Sequence, residues 1–227
     1  EVTDYIRVLD RSGYFETVTL SEDDLKRNNM YRANAQRAKA QSRFADYHDY
    51  LLSLEMTAEI GDFPPLYLQR ITQLTNKSNQ FNLTTKRYTA EQMEAVYNSD
   101  EYIRLYGKLY DKFGDNGVVA VTIGKTDSED KGRLDIELWL MSCRVLKRDM
   151  ELAMLDSLVA QAKKRGIREI YGHYYPTAKN KMVAGLYESF GFEKISQDEE
   201  GNTAWRLLVE GYEDKNTVIK VKEEHYA

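Results

Sequence analysis

The chain has 227 residues, of which 42% are apolar and 30% charged, enough for one sizeable core in an ordinary globular balance. Three prolines argue against long disordered linkers, and a formal net charge of −5 supplies no general basic field for nucleic acid. One cysteine, Cys143, excludes an intrachain disulfide and fits a reducing, cytoplasmic setting; with three histidines beside it no metal site is expected. The apolar runs, such as Gly117–Val121, fall far short of the ~20 residues that cross a bilayer, and no signal peptide is visible, so no membrane partner is expected.

In chain order, Tyr14–Val18 reads as a short extended segment, and Ser21-Glu22-Asp23-Asp24 as the capped start of a long polar helix reaching about Arg43. The basic positions Arg32, Arg37, Lys39 and Arg43, like Lys163, Lys164 and Arg165 later, read as solvated helix faces. A second helical stretch places Phe44, Tyr47, Leu51 and Leu54 on one face. Thr57–Ile60 reads as a strand. Pro64-Pro65 then opens a helix whose buried side carries Leu68, Ile71 and Leu74. Residues 79–85 form a polar loop, and Thr89–Gln92 starts another helix. Ile103–Leu109, Val118–Ile123 and Leu134–Leu140 are strands, with a turn expected at Asp115-Asn116-Gly117. After Cys143, Leu152, Leu155, Val159 and Ala162 recur at helical spacing, and Gly166 stands where a helix stop belongs. Ile167–Tyr175 is a strand, a helix follows through Val183, Leu186, Tyr187 and Phe190, and strands close the fold at Phe192–Ile195 and Trp205–Val209. The polar tail after Tyr212 is expected to be frayed or peripheral. Helices interleaved with strands in this way predict an α/β sheet covered on both faces.

Three joints in this order stand out. The strand ending at Ser142 runs into Arg144-Val145-Leu146-Lys147-Arg148-Asp149, Asn180 is followed by Val183, Leu186, Tyr187, Gly191 and Phe192, and Gly172–Tyr175 is the strand segment that precedes that helix. With the strand order around them these segments resemble the GNAT acyltransferases. The family's first pattern is Arg or Gln, two residues, Gly, one residue, then Gly or Ala; its second is Asn-x-x-Ala-x-x-Leu-Tyr-x-x-x-Gly-Phe. The resemblance implies a mixed, mostly antiparallel sheet with helices on both faces, preceded here by a helical extension. It also implies that Arg144, Leu146, Lys147 and Arg148, with Asn180, hold coenzyme A or a phosphopantetheine arm, and that Tyr187 acts as acid to a departing thiolate. Lys147 and Asp149 stand where the family has glycines, which disfavours close approach of a pyrophosphate. No cofactor is fixed by the residues themselves.

Four longer strings, Thr75–Tyr88, Asp111–Gly117, Ser142–Leu146 and Pro176–Asn180, look like FkbH-family proteins. That resemblance covers about residues 21–210. It implies a GNAT-like domain working with a HAD phosphatase-like domain, loading a glyceryl unit from 1,3-bisphosphoglycerate onto an acyl carrier protein. The HAD nucleophile motif is absent from this chain, so the chain is expected to be a C-terminal piece: 1–55 a helical segment, 56–212 the GNAT-like domain, 213–227 a polar tail.

The chemistry-bearing candidates follow. Cys143 is either a nucleophile that accepts an acyl group and passes it to a carrier thiol, with Arg144 beside it and a helix start after it, or a small buried apolar residue. His173 is a base or a structural histidine, and Tyr187 an acid or a core tyrosine. Asn79, Gln80, Asn82, Thr84 and Thr85 either hold a hydroxylated acyl unit or a carrier arm, or bond among themselves in a surface loop. The rival functions are a degenerate GNAT module that only docks the carrier protein, and an N-acetyltransferase using Asp135 and Glu137 to hold an amine.

Overall fold

The computed structural model describes residues 22–224, with side chains from 31 to 222; the extended segment expected at Tyr14–Val18 and the cap expected at Ser21 lie outside them. The chain divides into two compact units, 1–45 and 46–227. In the first, α1 (Glu22–Gln41) is the long polar helix expected, without an amphipathic face. The division falls before α2 (Tyr47–Ser53) rather than near residue 55. Asp46 caps α2 by accepting from the Asp49 amide, and the helix turns Tyr50 and Leu51 into the larger unit's core.

The larger unit is one sheet with helices on both sides. Its elements are β1 (Thr57–Gly61), α3 (Leu68–Lys77), β2 (Phe81–Asn82), α4 (Ala90–Tyr97), β3 (Tyr102–Asp111), β4 (Gly114–Thr126), β5 (Arg133–Met141), α5 (Met150–Lys164), β6 (Glu169–Tyr174), α6 (Leu186–Ser189), β7 (Glu193–Gln197), β8 (Thr203–Leu208) and β9 (Lys220–Glu224). The strand order is β7-β8-β6-β5-β4-β3-β1-β9, with β2 paired to β5 off this path. Among the described strands only β5–β6 and β1–β9 run parallel. This is the mixed, mostly antiparallel sheet that the sequence predicts.

One face carries α3 and α4, whose Ile71, Leu74, Met93 and Val96 pack with Val121, Ile123, Leu138 and Leu140. The sharp apolar side of α3 and the reciprocal Thr89–Gln92 capping box of α4 explain why both helices form where the sequence places them. The other face carries α5, seated on Gly107. A Cβ there would collide with Met150 and Met154, so this close approach of helix to sheet needs glycine.

Three local expectations are corrected. Asp115-Asn116-Gly117 is a bulge within β4, not the hairpin turn: the chain reverses at residues 112–113, and Gly117 takes a φ of +70° while its amide donates to Asp115. The helix expected after Pro176 is broken into a 3₁₀ turn, Lys181–Val183, and the single turn of α6, with Gly185 between them. The tail after Tyr212 is not frayed. Val218 and Ile219 are buried, and β9 completes the sheet beside β1. Its anchor is Asp156 on α5, whose carboxylate accepts from the Tyr212 hydroxyl (2.6 Å) and the amides of Lys215 (3.0 Å) and Asn216 (2.8 Å). Burial first, and then this carboxylate, push the Tyr212 pKa far above the ordinary phenol value. These bonds join residues some sixty positions apart, which no local pattern reveals.

Asp156→Ala leaves two amides and a phenol without their acceptor, and is expected to lower stability by about 2–4 kcal/mol. Urea denaturation measures the loss, and hydrogen exchange places it by faster exchange of the β9 amides.

Candidate functional site

The strands β5 and β6 are hydrogen-bonded only at their beginnings, where Arg133, Leu134 and Asp135 face Glu169, Ile170 and Tyr171. Beyond Asp135 they splay, and the second half of β5 needs other partners on that side. The segment 81–84 supplies them. Phe81 and Asn82 pair with Met141 and Leu140, the Leu83 amide donates to the Trp139 carbonyl (3.1 Å), and the Thr84 hydroxyl donates to the Glu137 carbonyl (2.7 Å). On the opposite side the Tyr175 amide donates to the Leu83 carbonyl (2.9 Å). The segment is thus wedged between the two strands.

Asn180, fully buried, locks this wedge. Its amide donates to the Asn82 and Tyr175 carbonyls (both 2.9 Å), and its Oδ1 accepts from the Thr177 amide (2.7 Å) and hydroxyl (3.0 Å). All four of its hydrogen-bonding positions are used. In this structure Asn180 therefore serves as a structural tie. Asn82 is likewise buried, donating to the Ser78 carbonyl and accepting from the Thr85 amide. Thr85 turns the chain with a φ of +54°. Of the five loop residues predicted to meet substrate, Asn82, Thr84 and Thr85 build the wedge, while Asn79 and Gln80 face outward.

Those two residues line a cleft of about 740 Å³ with Arg70, Leu74 and Lys77 from α3, Ser142 and Cys143 from the end of β5, and Lys179. Cys143 is exposed there. Arg87 shapes the wall, donating to the Thr75 and Ser78 carbonyls at the end of α3 and to the Asn79 side chain. The helix expected directly after Cys143 is absent. Ser142 caps a single 3₁₀ turn, Cys143–Val145, and α5 begins only at Met150. Leu146 lies in the link between them. Sequence reasoning did not single out Arg70, Lys77 or Lys179. The i, i+4, i+7 spacing of Arg70, Leu74 and Lys77 puts them on one helical face, which was the available signal.

The link from Leu146 to Asp149 keeps a glycine backbone without glycines. Lys147 and Asp149 have φ of +61° and +59°. The Lys147 carbonyl is held by the Tyr47 hydroxyl (2.6 Å). Arg148 turns inward, pairing with the buried Asp111 at the end of β3 (3.1 Å) and donating to the Arg144 carbonyl (3.0 Å), so in this structure it ties the link to β3. Arg144 is half-buried beside Cys143; burial, and then the neighbouring Arg70 charge, depress its pKa. In the first turn of α5, burial lifts the Glu151 carboxyl to about 7, its own helix amide opposes, and Asp149 adds to the rise. One Glu151 oxygen is buried without a hydrogen bond among the described residues.

The other two catalytic candidates are elsewhere. Tyr187 is 1% exposed, packed against Phe192 (centroids 4.9 Å) and seated on Gly172, where a Cβ would collide with its ring. Burial drives its pKa far above the ordinary phenol value, and the His173 backbone N–H pulls weakly the other way. His173, the next residue after Gly172, points to the opposite face of β6. There its Nε2 meets Asp135 (3.1 Å), which Arg133 grips with two bonds of 2.8 Å. Burial raises the Asp135 carboxyl, but the bonds from His173 and Arg133 outweigh it and leave its pKa below the ordinary value. Tyr171 sits opposite Asp135, so His173 is about six strand residues, roughly 20 Å, from Cys143. The sheet therefore separates Cys143, His173 and Tyr187 into three places. Glu137 is engaged by Lys86 and the Tyr88 hydroxyl (3.1 Å).

Among the described residues no helix is long and apolar enough to cross a membrane. No protein-family model and no curated protein sequence matches this chain. Solved structures do. The ribosomal-protein-S18-alanine N-acetyltransferase from Escherichia coli superposes with a TM-score of 0.51 at 13% identity, over 71% of this chain and 99% of that one. An acetyltransferase from Thermus thermophilus gives 0.51 at 13% over 67% and 97%, and the GNAT domain of S. lividans PAT gives 0.51 at 15% over 66% and 89%. The chain has the GNAT acetyltransferase fold.

Two outcomes follow from this geometry. Lys147→Gly relieves a left-handed side-chain conformation and is expected to raise stability by up to about 1 kcal/mol in urea denaturation. For Glu151 the folded pKa of about 7 lies above the unfolded 4.5, so folding favours the protonated form. That contribution is complete below about pH 4.5 and lost as pH rises through 7. Glu151→Gln does not share the loss. Its advantage over the wild-type chain should grow between pH 4.5 and 8, reaching at most about 3 kcal/mol.

Proposed function

We propose that this domain is an acyltransferase-type module that works through Cys143. The Cys143 thiolate attacks the carbonyl of an activated acyl donor, the donor's leaving group departs, and a thioester forms on Sγ. A carrier thiolate then attacks that thioester, takes the acyl group, and returns the Cys143 thiolate. Cys143, exposed on a cleft with Asn79 and Gln80 in its wall, is the observation that carries this reading. Those amides suit an acyl group bearing hydroxyls. The FkbH-like strings make glyceryl, from 1,3-bisphosphoglycerate, the acyl group of choice, and an acyl carrier protein the acceptor, with a HAD-like domain as working partner.

A second reading keeps the fold but drops the chemistry: a module that docks the carrier protein or its phosphopantetheine arm. The wedge of residues 81–84, the side chains at Lys147 and Asp149, and the enclosed Tyr187 favour it over acetyl coenzyme A chemistry. An N-acetyltransferase has less support, since Asp135 and Glu137 are already engaged by basic side chains.

Incubation of the protein with a glyceryl thioester, followed by intact-mass and peptide mass spectrometry, tests the choice. The expected outcome is a glyceryl adduct on Cys143, lost in Cys143→Ala and kept in His173→Gln. Titration of acetyl coenzyme A by calorimetry is expected to show no micromolar binding. An adduct that persists in Cys143→Ala overturns the role of the cysteine, and absence of any adduct leaves the docking module as the better reading.

A further inference from the structure

Several cations of the larger unit are held by acidic side chains: Arg104 holds Asp62, Arg133 holds Asp135, Arg148 holds Asp111, and Arg206 holds Glu169 and Glu193. The lining of the Cys143 cleft is of one sign. Arg70, Lys77 and Lys179 line it, no Asp or Glu does, and none of the three makes an ion pair among the described residues. Arg144 adds a fourth positive charge next to Cys143, close enough for Arg70 to depress its pKa. Arg70, Lys77 and Lys179, three like charges in one cleft with no Asp or Glu among its described lining residues, repel one another, and an entering anion relieves that cost.

The cations also come from two separate places, α3 and the turn before Asn180, and line the same cleft. Two anchors hold this geometry. Arg87 ties down the end of α3, and Asn180, the residue after Lys179, is locked to the wedge. The backbone that carries the three cations is therefore fixed by the fold.

We propose that the Cys143 cleft contains an anion subsite, formed by Arg70, Lys77 and Lys179, that binds the phosphate group of a ligand whose reacting end lies at Cys143. Three positive charges suit a phosphate group, which presents several acceptor oxygens with about two negative charges as a monoester or one as a diester. The phosphate belongs either to the acyl donor or to the phosphodiester of a carrier arm. This inference rests on the acyl-transfer reading only for the placement of the reacting end; the subsite itself does not depend on catalysis.

Cys143 is the chain's single cysteine, so its alkylation reports the local potential directly. The rate with anionic iodoacetate is divided by the rate with neutral iodoacetamide, and the same ratio is taken for glutathione in the same buffer. The ratio at Cys143 is expected to be roughly 3- to 10-fold above glutathione at low salt, and to fall toward it in high salt. The variant Arg70→Gln/Lys77→Gln/Lys179→Gln is expected to lose the excess while its melting temperature stays at or above that of the wild-type protein. Protection from iodoacetamide identifies the source: 4′-phosphopantetheine against pantetheine for the carrier arm, 3-phosphoglycerate against glycerate for the donor. Protection by the phosphorylated member of either pair alone supports the subsite. A ratio equal to that of glutathione, a ratio unchanged in the triple variant, or equal protection by phosphorylated and unphosphorylated members overturns it. Because no acyl transfer is measured, failure here is distinguishable from failure of the Cys143 adduct to form.

Discussion

The splayed edge of β5 is the constraint around which the rest of this domain is arranged. Once β5 and β6 part after Asp135, a run of backbone groups would be left in the interior without partners, and burying them bare costs far more than a loop can recover. The chain answers with its own residues 81–84, bonded to β5 on one side and to Tyr175 on the other. Asn180 then fixes that segment with all of its donors and acceptors. The turn that leads to Asn180 and the loop that leads to Phe81 are thereby placed side by side, and the Cys143 cleft is the space they leave beside α3.

This arrangement redistributes chemistry within the fold. A gap open between two strands offers backbone donors and acceptors to a ligand; here they are consumed internally. Tyr187 is shut into an aromatic cluster on one face of β6, and His173 is held by Asp135 on the other. The turn after β5 keeps left-handed backbone at Lys147 and Asp149, yet its side chains and the inward tie from Arg148 to Asp111 make it a brace between β3 and α5. What stays accessible is Cys143, with amides around it and the cations Arg70, Lys77 and Lys179 in the same cleft. An exposed thiol and three cationic side chains thus share one cleft at the end of β5, and on this the proposed chemistry rests.

Electrostatics and packing divide the labour elsewhere. Elsewhere on the sheet Arg133 pairs with Asp135 along β5, and Arg206 pairs with Glu169 across from β8 to β6, contacts worth little individually. Asp156 fastens the C-terminal segment so that β9 can cover the outer edge of β1, which would otherwise expose a row of unpaired backbone groups.

Most of the fold was legible in the residues. Alternation at Leu134–Leu140, the Thr89 capping box, the apolar side of α3 and the glycine stop at Gly166 are local signals, set by backbone geometry and side-chain spacing, and each marks its element. The strand order and the Ser142–Asp149 joint were enough to point to the GNAT fold. Cys143 was also visible, as a lone thiol at a strand end. The rest depended on residues distant in sequence. The amide-rich run 79–85 reads the same whether it meets substrate or fills a splay, and only its bonds to Trp139, Glu137 and Asn180 decide. The tail reads as polar because β9 sits at a sheet edge, and its anchor is a carboxylate on another helix. The cleft's charge is created when Arg70 and Lys77 are brought to the same cleft as Lys179, about a hundred residues away. Sequence by itself determined the elements and the fold, because these follow from local periodicity. Tertiary structure alone decided which polar residues were spent on holding the chain together and which were left to act, because a hydrogen bond has no sequence signature until its partner arrives.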